Sequence, residues 1–351
     1  MGSKHFGLDA KHLQVIEHLQ KSLSFNRDHA TRIKVLQNAI HLRDSQGTAI
    51  LLNDGLKIHG PEYPLLLIIE AEETITEVYA QAGIEDVVRD ATLSDIRLWV
   101  DHYASLHAGS PGLERIYWIS RHLCANILRL GRLQFERKPF GYPFNIYQRT
   151  KDHTMLTIAA ADLLCDERGY LSRQSEGFFT TTFKHNASFM EGHLVHPETG
   201  TIEKHPTRFS QSEILQKATP ESIALHLHIP AGPPLFPSAV EDSLKQAKKH
   251  FPAIPLVACS SWLLDPALDE VTETESNINA FMHRFSKFPV AHEEPQIYER
   301  VFGFSFTEAE VLAFQATTTL QKKVQQAITA GIQFHTMGGY LSQDNVPYNV
   351  S

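Results

Sequence analysis

Over the first third of the chain, apolar residues recur at three- and four-residue intervals. Leu13, Ile16 and Leu19 form one stripe of AKHLQVIEHLQKSL, and Ile33, Leu36 and Ile40 do the same in HATRIKVLQNAIHLRDS. PLLLIIEAEETITEVYAQAG continues the helical period to Gly83, a C-cap candidate. Thr92 and Asp95 have the spacing of a capping box ahead of the apolar face Ile96, Trp99, Val100 and Tyr103. Gly109 and Pro111 interrupt the pattern, and LERIYWISRHLCANIL resumes it. No strand signal precedes about residue 126.

Beyond that point the period shortens. ILRLGRLQFER alternates and reads as a strand, which puts Arg129 and Arg132 on opposite faces and offers Arg132 as a partner for a carboxylate such as Asp95. YPFNIYQR, FFTTTFKHN, EGHLVHP and IEKHP are short segments punctuated by Pro, Gly and Asn, with HPETGTIE as a tight turn. SIALHLHIP alternates strictly: Ile223, Leu225, Leu227 and Ile229 on one side, Ala224, His226 and His228 on the other. The loop AGPPLFPS leads into the amphipathic helix SAVEDSLKQAKKHF, with Ser238 and Glu241 as a capping box. LVACSSWLLDP reads as the next strand and SNINAFMHRFSKF as a helix capped by Ser276 or Glu275, which together imply a β-α-β unit. One further helix is expected in EAEVLAFQATTTLQKKVQQAITAGIQF, followed by the partly exposed tail HTMGGYLSQDNVPYNVS. The expectation is an α+β chain with a helical domain at 1–125 and a mixed-sheet α/β domain at 126–351.

Composition narrows the function. The 351 residues are 42% hydrophobic and 21% charged, ordinary for a globular chain of about two domains. A formal net charge of -8 is the wrong sign for duplex nucleic acid. There is no apolar run of about 18 residues to span a membrane, and no basic-then-apolar leader, so a cytoplasmic protein is expected. Cys124, Cys165 and Cys259 are too scattered for a disulfide framework. The twenty histidines follow no metal-ligand spacing, HEEPQ at His292 lacking a second His, and no metal is expected.

ATLSDIRLWVDHYASLHAGSPGLERIYWISRHLCANILRLGRLQFER resembles the helical N-terminal domain of a bacterial N-acyltransferase family. LHLHIPAGPPLFPSAVEDSLKQA and CSSWLLDPALDEVTETESNINAF resemble its GNAT-like C-terminal domain. The likeness covers about residues 70 to 285, and SWLLDP followed by SNI is its specific part. It implies an acyl-CoA donor, with an acyl carrier protein as the other donor candidate, and an amine acceptor of small-molecule size. Two positions depart from the family pattern: Ser260 stands where the family strand commonly has His in C-H-S-W, and Ala231–Leu235 replaces the Q/R-x-x-G-x-G/A turn.

The chemistry can be assigned residue by residue. A strand running into a helix N-terminus is an anion site, and Gly232 would let a phosphate approach closely. Ile229, Ala231, Gly232, Leu235 and Ser238 are therefore the donor-binding candidates, although Pro233, Pro234 and Pro237 lack an N–H. His228 is the first candidate base and His226 the second, because His228 sits at the strand's carboxyl end next to the loop. Cys259 and Ser261 share a face of the next strand and would converge with His228 if the strands are neighbours; Cys259 would then be an acyl-carrying nucleophile or an inert core residue, and Ser261 a donor to the thioester. Trp262, Asp265, Ser276 and Asn277 are the acceptor-side candidates, each with a packing or capping role as the alternative. The leading reading is acyl transfer; a non-catalytic ligand- or partner-binding protein is the alternative, and a Cys hydrolase a third that lacks a nucleophile motif.

Overall fold

The computed structural model describes residues 6–172, 177–291, 294–303 and 306–343. The chain divides into two compact units. The first runs to Glu136 and also holds His228–Pro233; the second holds Arg137–Leu227 and the chain from Pro234 onward.

The first unit is helical up to Leu123, as the apolar period predicts. Helices Ala10–Leu23, Arg27–His41 and Ser45–His59 start at Asp9, Asn26 and Asp44, whose side chains accept backbone N–H groups of the first turn. Helix Tyr63–Glu70 is the centre: every residue from Tyr63 to Ile69 is buried, as expected of a helix apolar on all sides. The long helix expected through to Gly83 is two, because the chain breaks at Ala71 before Glu72–Gln81. Thr92 does not cap the next helix. It lies inside helix Asp86–Leu93, and its hydroxyl donates to the Val88 carbonyl. Helices Asp95–Leu106 and Ile116–Leu123 follow.

ILRLGRLQFER is a hairpin rather than one strand. Ile127–Leu130 pairs antiparallel with Leu133–Pro139, and Gly131 takes the tight turn at φ 65°.

Strand Ile223–His228, which lies in the second unit up to Leu227, runs parallel to Leu256–Ser261 through Leu225–Leu227, and helix Pro237–His250 joins the two, the predicted β-α-β unit. Ser238 is not the N-cap. The helix begins one residue earlier, Phe236 occupies the cap without a side-chain bond, and Glu241 pairs with Arg284 at 2.9 Å. FSKF is not helical either: helix Asn277–Met282 ends and Ser286–Pro289 is a strand. The tail holds two helices, Glu308–Ala313 and Thr319–Thr329. Its Gly-rich segment is the buried strand Met337–Ser342, which lies between Leu256–Ser261 and Ser286–Pro289. Glycine is required there, since a Cβ on Gly338 would run into the Phe288 ring. A second sheet orders Ile214–Ala218, Phe144–Arg149, Met155–Ala159 and Leu194–Val195. Phe140, Phe144, Ile146, Phe288 and Tyr340 are among the buried residues of the unit's main core.

Candidate active site

The hairpin of the first unit organises a polar face. Its register sets Arg129 opposite Gln134 and Ile127 opposite Glu136, so Arg129, Gln134 and Glu136 share one side while Leu128, Leu130, Leu133 and Phe135 share the other. The chain reversal exchanges the parity of the two strands. Arg129 and Arg132 consequently converge, where a single continuous strand would have set them on opposite faces.

Beneath this face lies a buried carboxylate. Asp95, 2% exposed, accepts N–H bonds from Trp118 (2.9 Å), Trp99 (3.1 Å) and Gln134 (3.1 Å). Asp95 is thus engaged by neutral donors and not by Arg132. His122 Nε2 is 3.4 Å from Asp95, but its Nδ1 faces the Trp118 carbonyl at 3.0 Å, and burial holds its pKa below the ordinary histidine value in spite of the attraction of Asp95. With Nδ1–H donating to that carbonyl, Nε2 is the acceptor for the Gln134 amide at 3.2 Å, and the contact with Asp95 is not an ion pair.

His228 stands above this network. Its Nε2 is 3.3 Å from the Glu136 carboxylate, which also receives Arg121 at 3.4 Å. The Trp118 ring meets the imidazole edge-on at 5.0 Å between centroids. Trp118 therefore touches His228 with its ring and Asp95 with its N–H. The His228 side chain is 26% exposed.

His228 leads directly into the loop. Arg132 donates from Nε to the Pro233 carbonyl (2.7 Å) and from Nη1 to the Pro230 carbonyl (2.8 Å). These two bonds fix the turn around Ala231 and Gly232, both exposed. Gly232 has φ 154°, a conformation side chains resist, and a Cβ there would lie 3.6 Å from Arg132 Cζ and 3.7 Å from Arg129 Nη2. Burial, helped by the charge of Arg129, lowers the Arg132 pKa.

The remaining candidates belong to the second unit. His226 is buried and bonds the Pro139 carbonyl at 2.9 Å, a structural contact. Register pairs His226 with Ala258 and Leu227 with Cys259. Cys259 and Ser261 therefore lie on the sheet face away from His226, and the expected convergence with the histidine face does not form. Cys259 is buried and its thiol is pushed up to about 12 by desolvation, the opposite of an activated nucleophile. Ser261 accepts the Leu263 N–H at 3.1 Å and caps a short 3-10 turn. Trp262 packs on the cluster around Leu268 and Tyr298. Asp265 accepts the backbone N–H of His335 (2.6 Å) and of Ala267 (3.1 Å). Ser276 caps helix Asn277–Met282 through the Asn279 N–H, with Asn277 at its first position. Leu235 is buried, and Ser238 is exposed in the first turn of its helix. Sequence reasoning missed Glu136, Trp118 and the Arg129–Arg132 pair. The signal was Gly131, a turn residue within an alternating run. Among the described residues, no group of three or more His, Cys, Asp or Glu is placed to hold a metal, and HEEPQ at His292 falls partly outside the described residues.

No curated protein matches the chain in sequence. Among solved structures, an acyltransferase in complex with CoA and 10C-teicoplanin matches at 18% identity with TM-score 0.54, over 93% of this chain and 80% of that one. An acyltransferase in complex with decanoyl-CoA and teicoplanin matches at 18% identity with TM-score 0.51, over 99% and 91%. At that identity the likeness is one of fold. Residues 12–125 match the N-acyltransferase N-terminal domain, and residues 127–341, more than half of the chain, match the GNAT-like C-terminal domain. The protein thus belongs to the GNAT-like C-terminal domain family, with an N-acyltransferase N-terminal domain ahead of it.

Proposed function

We propose that the protein is an acyltransferase that moves an acyl group from acyl-CoA to an amine on a small molecule, with His228 as general base. The observation that carries the reading is the His228–Glu136 pair at the foot of the 229–233 loop, 3.3 Å apart with the histidine partly exposed. With the Nε2 proton directed at Glu136, Nδ1 is the lone-pair nitrogen. It accepts the proton of the acceptor amine, directly or through water. The amine nitrogen attacks the thioester carbonyl, the C–S bond breaks, and CoA leaves as the thiolate, which takes up the proton that His228 received from the amine. Direct attack needs no enzyme nucleophile, which agrees with a buried, protonated Cys259.

The donor's phosphates are assigned to the 229–233 loop, with Ile229, Ala231 and Gly232; Leu235, also a donor-side candidate, is buried, and Ser238 is exposed in the first turn of the helix that follows. An acyl carrier protein would present the same thioester. Trp262, Asp265, Ser276 and Asn277 stay on the acceptor side of the proposal only through the family resemblance, because each has a packing or capping role. The domain boundary at 125/126 and a cytoplasmic location belong to the same reading; three buried free thiols suit a reducing compartment. No helix among the described residues is long and apolar enough to cross a membrane.

The second reading is a binding protein without turnover. It is favoured by Ser260 in place of the family histidine and by the proline-rich loop. Thiol release from acyl-CoA in the presence of an amine panel separates the two. The proposal expects turnover that His228→Ala lowers by about 100- to 10,000-fold. Binding of acyl-CoA with no turnover against any amine would favour the second reading.

A further inference from the structure

The 229–233 loop has a deficit as a phosphate cradle. Pro230 and Pro233 bring no N–H, and the residues between them, Ala231 and Gly232, are exposed. Phosphate sites of this kind ordinarily rely on backbone N–H groups, so this loop has to recruit donors from elsewhere.

The hairpin supplies them. Arg132 holds the loop through two of its carbonyls, and the Arg129 guanidinium lies on the same side, close enough that both would neighbour a Cβ at Gly232. Two guanidinium groups in proximity repel each other, and among the described residues no carboxylate forms an ion pair with Arg129. Among the described residues its charge is therefore left without an acidic partner. Gly232 keeps the space between loop and guanidinium groups clear of any side chain.

We propose that Arg129 and Arg132 form a two-arginine phosphate site at the tip of the Pro230–Pro233 loop, in which guanidinium donors take the place of the N–H groups that proline removes. Resting on the donor reading above, the inference assigns the site to a phosphate of CoA. Arg132 shapes the loop, and Arg129 is the direct phosphate ligand, offering a planar fork that matches two phosphate oxygens.

The test is calorimetric titration of the full chain with CoA, with pantetheine, which carries no phosphate, and with inorganic pyrophosphate. Wild type, Arg129→Gln and Arg129→Lys are compared after far-UV circular dichroism establishes that each is folded. The expected result is that Arg129→Gln weakens CoA and pyrophosphate by about tenfold or more, leaves pantetheine unchanged, and lowers the salt dependence of CoA binding. Arg129→Lys, which keeps the charge and loses the fork, falls between. Equal CoA affinity in wild type and Arg129→Gln would overturn the two-arginine site while leaving the donor reading intact. Failure of wild type to bind CoA, with Arg129-dependent binding of pyrophosphate, would remove the donor reading and keep the phosphate site. Failure to bind either one would remove both.

Discussion

Replacing Asp265 by Asn should change the pH dependence of stability in a defined direction. Asp265 is 2% exposed, and burial raises its pKa from 3.8 to about 7 even though it accepts two backbone N–H bonds. The folded state therefore holds a proton that the unfolded chain releases. Stability from this group is fully present below pH 3.8 and is lost as pH rises through about 7. At about 1.4 kcal/mol per pH unit, the whole loss has an upper limit of about 4 kcal/mol. His335, whose backbone binds Asp265 and whose ring stacks on Tyr170 at 3.9 Å, works in the opposite sense. Burial lowers its pKa from 6.5 to about 4, so its contribution is present above 6.5 and is lost as pH falls through about 4. The two slopes offset each other in the wild type across the interval they share. In Asp265→Asn only the histidine slope remains. Urea unfolding from about pH 4 to about pH 8 should show the variant gaining on the wild type by up to about 4 kcal/mol over that range. A wild-type-minus-variant difference that stays constant with pH would refute a buried, proton-holding Asp265.

Other outcomes are equally specific. Cys259→Ala should retain wild-type turnover, and the thiol should resist alkylation near neutral pH, because desolvation pushes it up to about 12; loss of turnover in that variant would revive a covalent route. Ser261→Ala should lose part of its stability with the cap on the Leu263 N–H, about 1 kcal/mol, and keep its activity. Asp95→Ala should cost about 3 kcal/mol or more in thermal unfolding, because the N–H groups of Trp99, Trp118 and Gln134 lose their shared acceptor in a buried site. The conservative Asp95→Asn should restore only part of that.

Much of the fold could be read along the chain because local pattern and tertiary outcome agree. The helices up to Leu123 follow their apolar stripes, and Ile223–His228, Pro237–His250 and Leu256–Ser261 form the expected parallel unit. The failures arise where tertiary context decides what the local pattern leaves open. Reading Ile127–Arg137 as one strand reversed the face of Arg132 and hid both the arginine pair and the place of Glu136 beside His228. Met337–Ser342 looked like a loose tail because its glycines are there to admit the Phe288 ring, a requirement set by a strand far away in sequence. The Asp95 network was illegible for a similar reason. Its donors come from Trp99, Trp118 and Gln134, and only tertiary packing brings them to one carboxylate.

The central claim is that His228, oriented by Glu136, removes the acceptor's proton during acyl transfer. The most direct measurement is the single-turnover rate of thiol release from octanoyl-CoA with a reactive amine, comparing wild type with His228→Ala at saturating donor. The account predicts intact donor binding and thermal stability in the variant, with the chemical step slowed by about 100-fold or more. A folded His228→Ala protein that releases thiol at the wild-type rate would contradict it.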